Sequence, residues 1–418
     1  MSNFFIQRFR VTTLLLLAVF VLGSCATTQK DETEGKAMME KEMKPTSLTK
    51  AADLRVALNA LLQEHVYLAA ALTNAALNGN TEEFQAAATV LDGNSIDLAR
   101  ANGAAYGTEA EEAFLPLWRK HIGFFVEYTT GVATNDTAKQ EKAVNDLVAY
   151  TQEFGAFLNS ATPSLPAEAV AQLVKQHALS LKAVVDARAA NNADDAYTGL
   201  REAAAHMQLI ADAHSGALAQ QFPYKFPGPG DSPAADLRTG ANLLLCEHVF
   251  LAAEATNAAL HGRNEDFEAA AFSLDTNSAE IAQINGLMYG PEAEAAFLPL
   301  WSKHIGFVVE YTTGLATNDK AKQEKAVNDL IAYTQEFGAF LNSATPSLPV
   351  DAVADLVKQH VLTLKNVIDA QAADDYATAY TVLREAAAHM QMIADVHIEA
   401  VVQQFPEKFA QQVSKLDK

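Results

Sequence analysis

The chain has 418 residues, half of them hydrophobic, and a formal net charge of −21 at pH 7. This length is sufficient for two or three domains with substantial cores. Such an acidic chain repels the phosphate backbone, which argues against a nucleic-acid-binding protein. Its two cysteines, Cys25 and Cys246, do not indicate a disulfide framework.

The N-terminal segment has the pattern of an export signal. Arg8 and Arg10 precede an apolar run over 11–22, which is too short to span a bilayer comfortably, and Gly23-Ser24-Cys25 follow. The last residues resemble the bacterial lipobox, which implies lipidation of Cys25. We therefore predict a signal peptide over 1–24 and a lipidated, flexible tether over 25–49. The protein would lie outside the cytoplasm, held on the cell membrane by lipid, or on the outer membrane of a cell with two membranes.

The rest of the chain contains one long repeat. Asp53-Leu54-Arg55 recurs as Asp236-Leu237-Arg238, an offset of 183 residues that continues without a gap as far as Phe226 and Phe409. Units of this size are domains rather than solenoid repeats. We predict a first repeat over 50–226, a linker over 227–234, a second repeat over 235–410 and a tail over 411–418.

The apolar spacing within each repeat is helical and almost nothing indicates a strand. In the first repeat, six helices are predicted near 50–78, 82–104, 109–133, 137–160, 167–190 and 194–221. Thr108 and Glu111 have the spacing of a capping box. Short connections between long amphipathic helices favour an antiparallel bundle, so the predicted fold is all-α, with two tandem bundles of about six helices each.

Histidines are the most informative polar residues. Ten of the eleven fall into pairs related by the same offset: His65/His248, His121/His304, His177/His360, His206/His389 and His214/His397. Their neighbours at helical spacing are apolar, so the imidazoles should point inward and need partners. One inward histidine is usually an ordinary core residue, but several that converge from separate helices favour a shared transition metal ion, with zinc, copper and iron as candidates.

The predicted ligands are four histidines in each repeat: His65, His121, His177 and His206, and His248, His304, His360 and His389. Further residues are candidates for additional ligands or for orienting a ligand: Glu64, Asp97, His214, Glu247, Glu280 and His397. Cys246 replaces Gln63 of the first repeat, so we interpret it as a small buried residue.

Several segments look like an uncharacterised family of exported bacterial helical domains, found beside modules labelled copper amine oxidase-like. They are Leu61-Leu62-Gln63-Glu64-His65, Asn94 with Asp97, Trp118 with His121 and Tyr128, the helix of His177, and the stretch from Leu200 to Met207. The resemblance covers roughly 53–226 and 236–409. It implies a helical fold outside the cytoplasm, but no amine oxidase activity, since we see no Asn-Tyr-Asp/Glu segment.

The sequence leaves three functions open. The favoured one is an envelope lipoprotein with one metal site per repeat, which sequesters, buffers or delivers a transition metal. The second is a metal-dependent or haem-binding redox enzyme, although no motif assigns a catalytic residue. The third is a non-catalytic structural or interaction module with core histidines, which would bind an envelope partner.

Overall fold

The structure is a computed structural model that describes residues 44–410. The predicted signal peptide, Cys25 and the tail over 411–418 lie outside the described residues, as does most of the tether. The described helices are α1 Lys50–Leu77, α2 Thr81–Tyr106, α3 Thr108–Ala133, α4 Thr137–Ala161, α5 Ala167–Ala189, α6 Ala193–Gln221, α7 Pro233–Leu260, α8 Asn264–Tyr289, α9 Pro291–Ala316, α10 Lys320–Ala344, α11 Val350–Ala372, α12 Tyr376–Gln404 and the short α13 Pro406–Phe409. The predicted all-α class is confirmed, and no strand occurs within 44–410.

Most helices begin where a polar side chain caps the first turn. The side chains of Thr49, Asn80, Asp136 and Asn192 each accept a hydrogen bond from a backbone N–H in the following turn. This satisfies donors that have no partner within the helix. The start of α3 differs from the predicted capping box: Gly107 precedes it with φ +101°, and no side chain caps the helix. Glycine adopts this φ without the steric cost that a Cβ adds.

Consecutive helices pack against each other through short connections, so each repeat is an antiparallel bundle. In the first repeat α1 is central, because it contacts α2, α3, α5 and α6. In the second repeat α7 occupies the same position, in contact with α8, α9, α11 and α12. These two central helices carry the first histidine of each repeat.

Both repeats belong to one compact unit that begins at Pro45, and they meet through equivalent surfaces. α1 packs on α7, and the ring of Tyr67 stacks on that of Phe250, its equivalent by the offset of 183, with centroids 4.9 Å apart and 5° between planes. The cross-repeat ion pairs are reciprocal too: Arg55 binds Asp236, and Arg238 binds Asp53. Such self-complementary contacts define an isologous, two-fold type of interface, here between two halves of one chain.

The segment that connects the repeats is packed rather than free. The hydroxyl of Thr49 donates to the carbonyl of Pro229 over 2.7 Å, and Arg55 donates to the carbonyl of Gly230 over 3.0 Å. A Cβ on Gly228, whose φ is +93°, would lie 2.7 Å from a side-chain atom of Thr49. α7 begins at Pro233, inside the predicted linker.

Only one described helix, α7 at Pro233–Leu260, is long and apolar enough to cross a membrane. Two-thirds of its apolar window, 67%, is buried inside the protein. We attribute its apolar character to its position as the central core helix of the second repeat.

Candidate metal centre

Three of the predicted histidines in each repeat meet in the bundle core. The first triad is His65, His121 and His177, from α1, α3 and α5. The second triad is His248, His304 and His360, from α7, α9 and α11. Within each triad, one nitrogen from every ring lies within 4.8 Å of the other two, and all six side chains are buried.

The local sequence explains why these rings point inward. On α3 the buried positions Phe114, Trp118, His121, Phe125 and Tyr128 recur every three or four residues, which places them on one helical face. The same spacing on α5 aligns His177 with Val174 and Leu181. A histidine within such an apolar stripe enters the core with it.

The spacing of two ring nitrogens in each triad is close to the spacing of nitrogen ligands around a metal ion. The Nε2 atoms of His65 and His121 are 3.3 Å apart, and so are those of His248 and His304; without a metal, one neutral ring of each pair can donate to the other over this distance. Nitrogen ligands at about 2.0–2.1 Å from a tetrahedral zinc ion lie about 3.3–3.4 Å apart. The third ring is near: its centroid is 5.7 Å from that of His65 and 6.4 Å from that of His121.

Most of the triad nitrogens lack a hydrogen-bond partner among the described residues. The unpartnered atoms of the first triad are Nδ1 of His65, Nδ1 of His121 and both nitrogens of His177. The second triad repeats this pattern at His248, His304 and His360. A buried polar atom without a partner costs about 1–3 kcal/mol, so each triad concentrates destabilising groups in the core.

Burial keeps the triad imidazoles neutral. It lowers the pKa of His121 to about 4, an effect that the backbone of Trp118 partly opposes. The pKa of His177 falls to about 3, through burial and then through His121 and His206. The pKa of His65 is also lowered well below its usual value, through burial and its two triad neighbours. Neutral imidazole is the form that binds metal ions.

His206 and His389, which we predicted as ligands, are not brought into the triads. The Nε2 of His206 donates to the carbonyl of Leu173 over 2.9 Å, and that of His389 donates to Leu356 over 2.8 Å. Leu173 precedes His177 by one helical turn, so His206 lies beside the triad while its Nε2 binds the α5 backbone. A backbone carbonyl thus supplies the partner that we had assigned to a metal.

The predicted carboxylates hold arginines from the opposite repeat. Glu64 accepts two hydrogen bonds from Arg384, both 2.9 Å, and one from Asn94 of 2.6 Å. Asp97 accepts a further one from Arg384 over 2.9 Å. In the second repeat Glu247 and Glu280 bind Arg201 in the same way. These four acids and two arginines form two reciprocal cross-repeat clusters, which we call the arginine clasps.

His214 and His397 lie apart from the triads. The Nε2 of His214 is 3.5 Å from the hydroxyl of Tyr106, and that of His397 is 2.9 Å from the hydroxyl of Tyr289. Burial lowers the pKa of both histidines to about 4. His214 nevertheless faces the same small cavity as His121 and His177.

The sequence reasoning missed two groups of residues. One is the pair Arg201 and Arg384, which recur at the repeat offset inside alanine-rich helical stretches, a signal that could have marked them as buried. The other is Tyr150 with its equivalent Tyr333, whose ring centroids lie 5.3 Å from those of His121 and His304.

The packing of the rings bears on the haem alternative. The centroids of His65 and His121 are 5.2 Å apart, and Trp118 packs 5.0 Å from His65. Rings in such contact leave no space for a porphyrin between them. A single ion fits the donor set better.

Comparisons with protein-family models, with curated proteins and with solved structures give no match. The resemblance to exported helical domains therefore stays a prediction, and the functional argument depends on the site itself.

Proposed function

We propose that each repeat binds one transition metal ion through its histidine triad, and that the protein sequesters, buffers or delivers this metal at the cell envelope. The observation that carries the proposal is the 3.3 Å separation of two Nε2 atoms in each repeat, with a third buried imidazole beside them. Three helices distant in sequence contribute one ligand each. The arrangement recurs in both repeats.

A shared ion explains the triads better than three separate core histidines do. An ordinary buried histidine binds a partner, as His206 does at the Leu173 carbonyl. His177 has none for either nitrogen among residues 44–410. One metal ion would provide a partner for one nitrogen on all three rings at once.

The donor set restricts the metal. Neutral imidazoles suit zinc, copper, iron and nickel, whereas calcium and magnesium prefer oxygen ligands. Three protein ligands also leave at least one coordination position for water or another ligand. The predicted carboxylates Glu64 and Asp97 are engaged by Arg384, so we assign them to the clasps rather than to the metal.

The proposed setting follows from the N-terminal segment. Residues 1–24 would direct export, and acyl chains on Cys25 would hold the helical unit on the membrane surface. This part of the proposal predicts that Cys25→Ser releases the protein from the membrane fraction.

Elemental analysis of the purified chain without residues 1–25 tests the metal site. After loading with zinc, copper or iron, the protein should retain about two equivalents of one ion, one per triad. The variant His177→Leu/His360→Leu should retain none. The matched control His206→Leu/His389→Leu should retain both, since these rings bind backbone carbonyls. No retained metal in a folded wild-type protein would refute the proposal and favour an interaction module.

A further inference from the structure

The first triad adjoins a small cavity in the bundle core. Its volume is about 30 Å³, and its lining includes His121, His177, Trp118, Tyr150 and His214. One water molecule needs roughly 10–15 Å³ by this measure. The cavity therefore accommodates a molecule of two or three non-hydrogen atoms, and excludes amino acids, sugars and nucleotides.

Two hydrogen-bond donors on the cavity wall have no acceptor among residues 44–410. The indole Nε1 of Trp118 and the hydroxyl of Tyr150 are buried, and neither has a partner within the described part of the chain. Both side chains are almost fully inaccessible, at 6% and 2% exposure. Buried tryptophan and tyrosine usually find a partner for their polar atom, so two unpartnered donors beside one cavity indicate a missing acceptor.

The second repeat retains these two donors. Trp301 and Tyr333 are the equivalents of Trp118 and Tyr150, and their Nε1 and hydroxyl are likewise buried without a partner among the described residues. Their rings flank His304 with centroids 4.6 Å and 5.3 Å away. The donors thus accompany the histidines in both copies, which a packing accident in one repeat would not produce.

We propose that each triad, with the tryptophan and tyrosine beside it, forms a binding site for a small electron-rich ligand of two or three atoms, held on the open coordination position of the metal. This inference rests on the proposed metal site. The metal would bind the ligand's electron pair, and the indole N–H and the phenol O–H would donate to it. The ligand class comprises dioxygen, peroxide and small linear anions.

The alternative occupant of the cavity is water alone. Water is neutral, whereas the small anions of the proposed ligand class are charged. A water that donates both hydrogens to other groups can still accept from the two wall donors, whereas an anion accepts from them without needing to donate. Hydrogen bonds to a charged ligand are about twice as strong as neutral ones. Removing one wall donor should therefore weaken the binding of an anion measurably.

Azide titration of the cobalt(II)-loaded protein tests this inference. Cobalt(II) reports its coordination through visible absorption, and azide is a linear anion of three atoms. Wild-type protein should bind azide at the metal with a saturable spectral change. The variant Tyr150→Phe/Tyr333→Phe keeps both rings but removes the hydroxyls, and should bind azide about tenfold more weakly. The control Tyr128→Phe/Tyr311→Phe removes hydroxyls that donate to Asp186 and Asp369, and should leave azide affinity unchanged.

The outcomes separate this inference from the proposed function. If the folded protein retains neither cobalt nor zinc, copper or iron, both fail. If about two equivalents of cobalt bind but saturating azide leaves the spectrum unchanged, the metal site stands and the small-ligand site is refuted. Equal azide affinity in wild type and Tyr150→Phe/Tyr333→Phe would also overturn the role of the wall donors.

Discussion

Replacing His177 and His360 by leucine should stabilise the metal-free protein while it abolishes metal binding. Both nitrogens of each ring are buried without a partner among the described residues, and each such atom costs about 1–3 kcal/mol. Leucine is apolar and close to histidine in volume, so it fits beside Val174 and Leu181. After allowance for repacking, we expect the free energy of unfolding to rise by about 1–3 kcal/mol per repeat.

Chemical denaturation with and without metal measures this effect. In chelator the variant should unfold at a higher denaturant concentration than wild type. Metal at about 100 times its dissociation constant should then stabilise wild type by about 2.7 kcal/mol per site and leave the variant unchanged. A stabilising substitution that removes function is expected where residues are retained for a ligand rather than for packing.

The control is His206→Leu, at a histidine whose Nε2 binds the Leu173 carbonyl. Loss of that hydrogen bond should cost about 1 kcal/mol in the metal-free protein. If His177→Leu destabilises the metal-free protein as much as His206→Leu does, His177 has a hydrogen-bond partner of its own. That result would refute the predicted destabilising effect of the two His177 nitrogens.

Two further predictions concern the clasps and acid stability. Arg384→Gln leaves Glu64, which is 8% exposed, without its cationic partner, so the free energy of unfolding by denaturant should fall by about 3–5 kcal/mol. Asp97→Asn should lower it by less than about 1 kcal/mol, because the Asp97 side chain is 36% exposed. Equal losses in the two variants would contradict the proposed role of the clasp. The pKa of His214 and of His397 is about 4 in the folded chain, against 6.5 in the unfolded chain. Between pH 4 and pH 6.5 these rings are therefore neutral in the folded chain and protonated in the unfolded chain. Their contribution to the free energy of unfolding is complete above pH 6.5 and is lost as the pH falls towards 4. At pH 5 the loss is about 2 kcal/mol for each histidine. The metal-free variant His214→Gln should therefore lose less stability than wild type between pH 7 and pH 5, and an identical loss would contradict this assignment.

Local patterns predicted the helices closely. The predicted bounds of α3 and α4, 109–133 and 137–160, differ by one residue from Thr108–Ala133 and Thr137–Ala161. Apolar spacing and cap residues act within a few residues of the chain, so the sequence displays them directly. The same reasoning placed His65, His121 and His177 on inward faces, because a helical face is a local property.

Local sequence patterns did not predict which group each buried side chain binds. Periodicity placed His206 on an inward face as it did His177, yet His206 binds a carbonyl 33 residues away and His177 joins the triad. Arg384 reaches Glu64 across 320 residues, between repeats that the sequence could describe only one at a time. Which groups meet depends on helix packing angles and on repeat docking, and neither is encoded within one turn of helix.

The sequence by itself determined that the chain is helical, that it contains one long repeat twice and that ten of its histidines form five pairs at a fixed offset. These properties follow from hydrophobic periodicity and internal repetition, which need no coordinates. The tertiary structure decided which three histidines meet and that the predicted acids bind arginines of the opposite repeat. It also placed Trp118 and Tyr150 beside His121, with donors that have no partner among the described residues. Distances between side chains on different helices arise only when the bundle closes and the two repeats pack together.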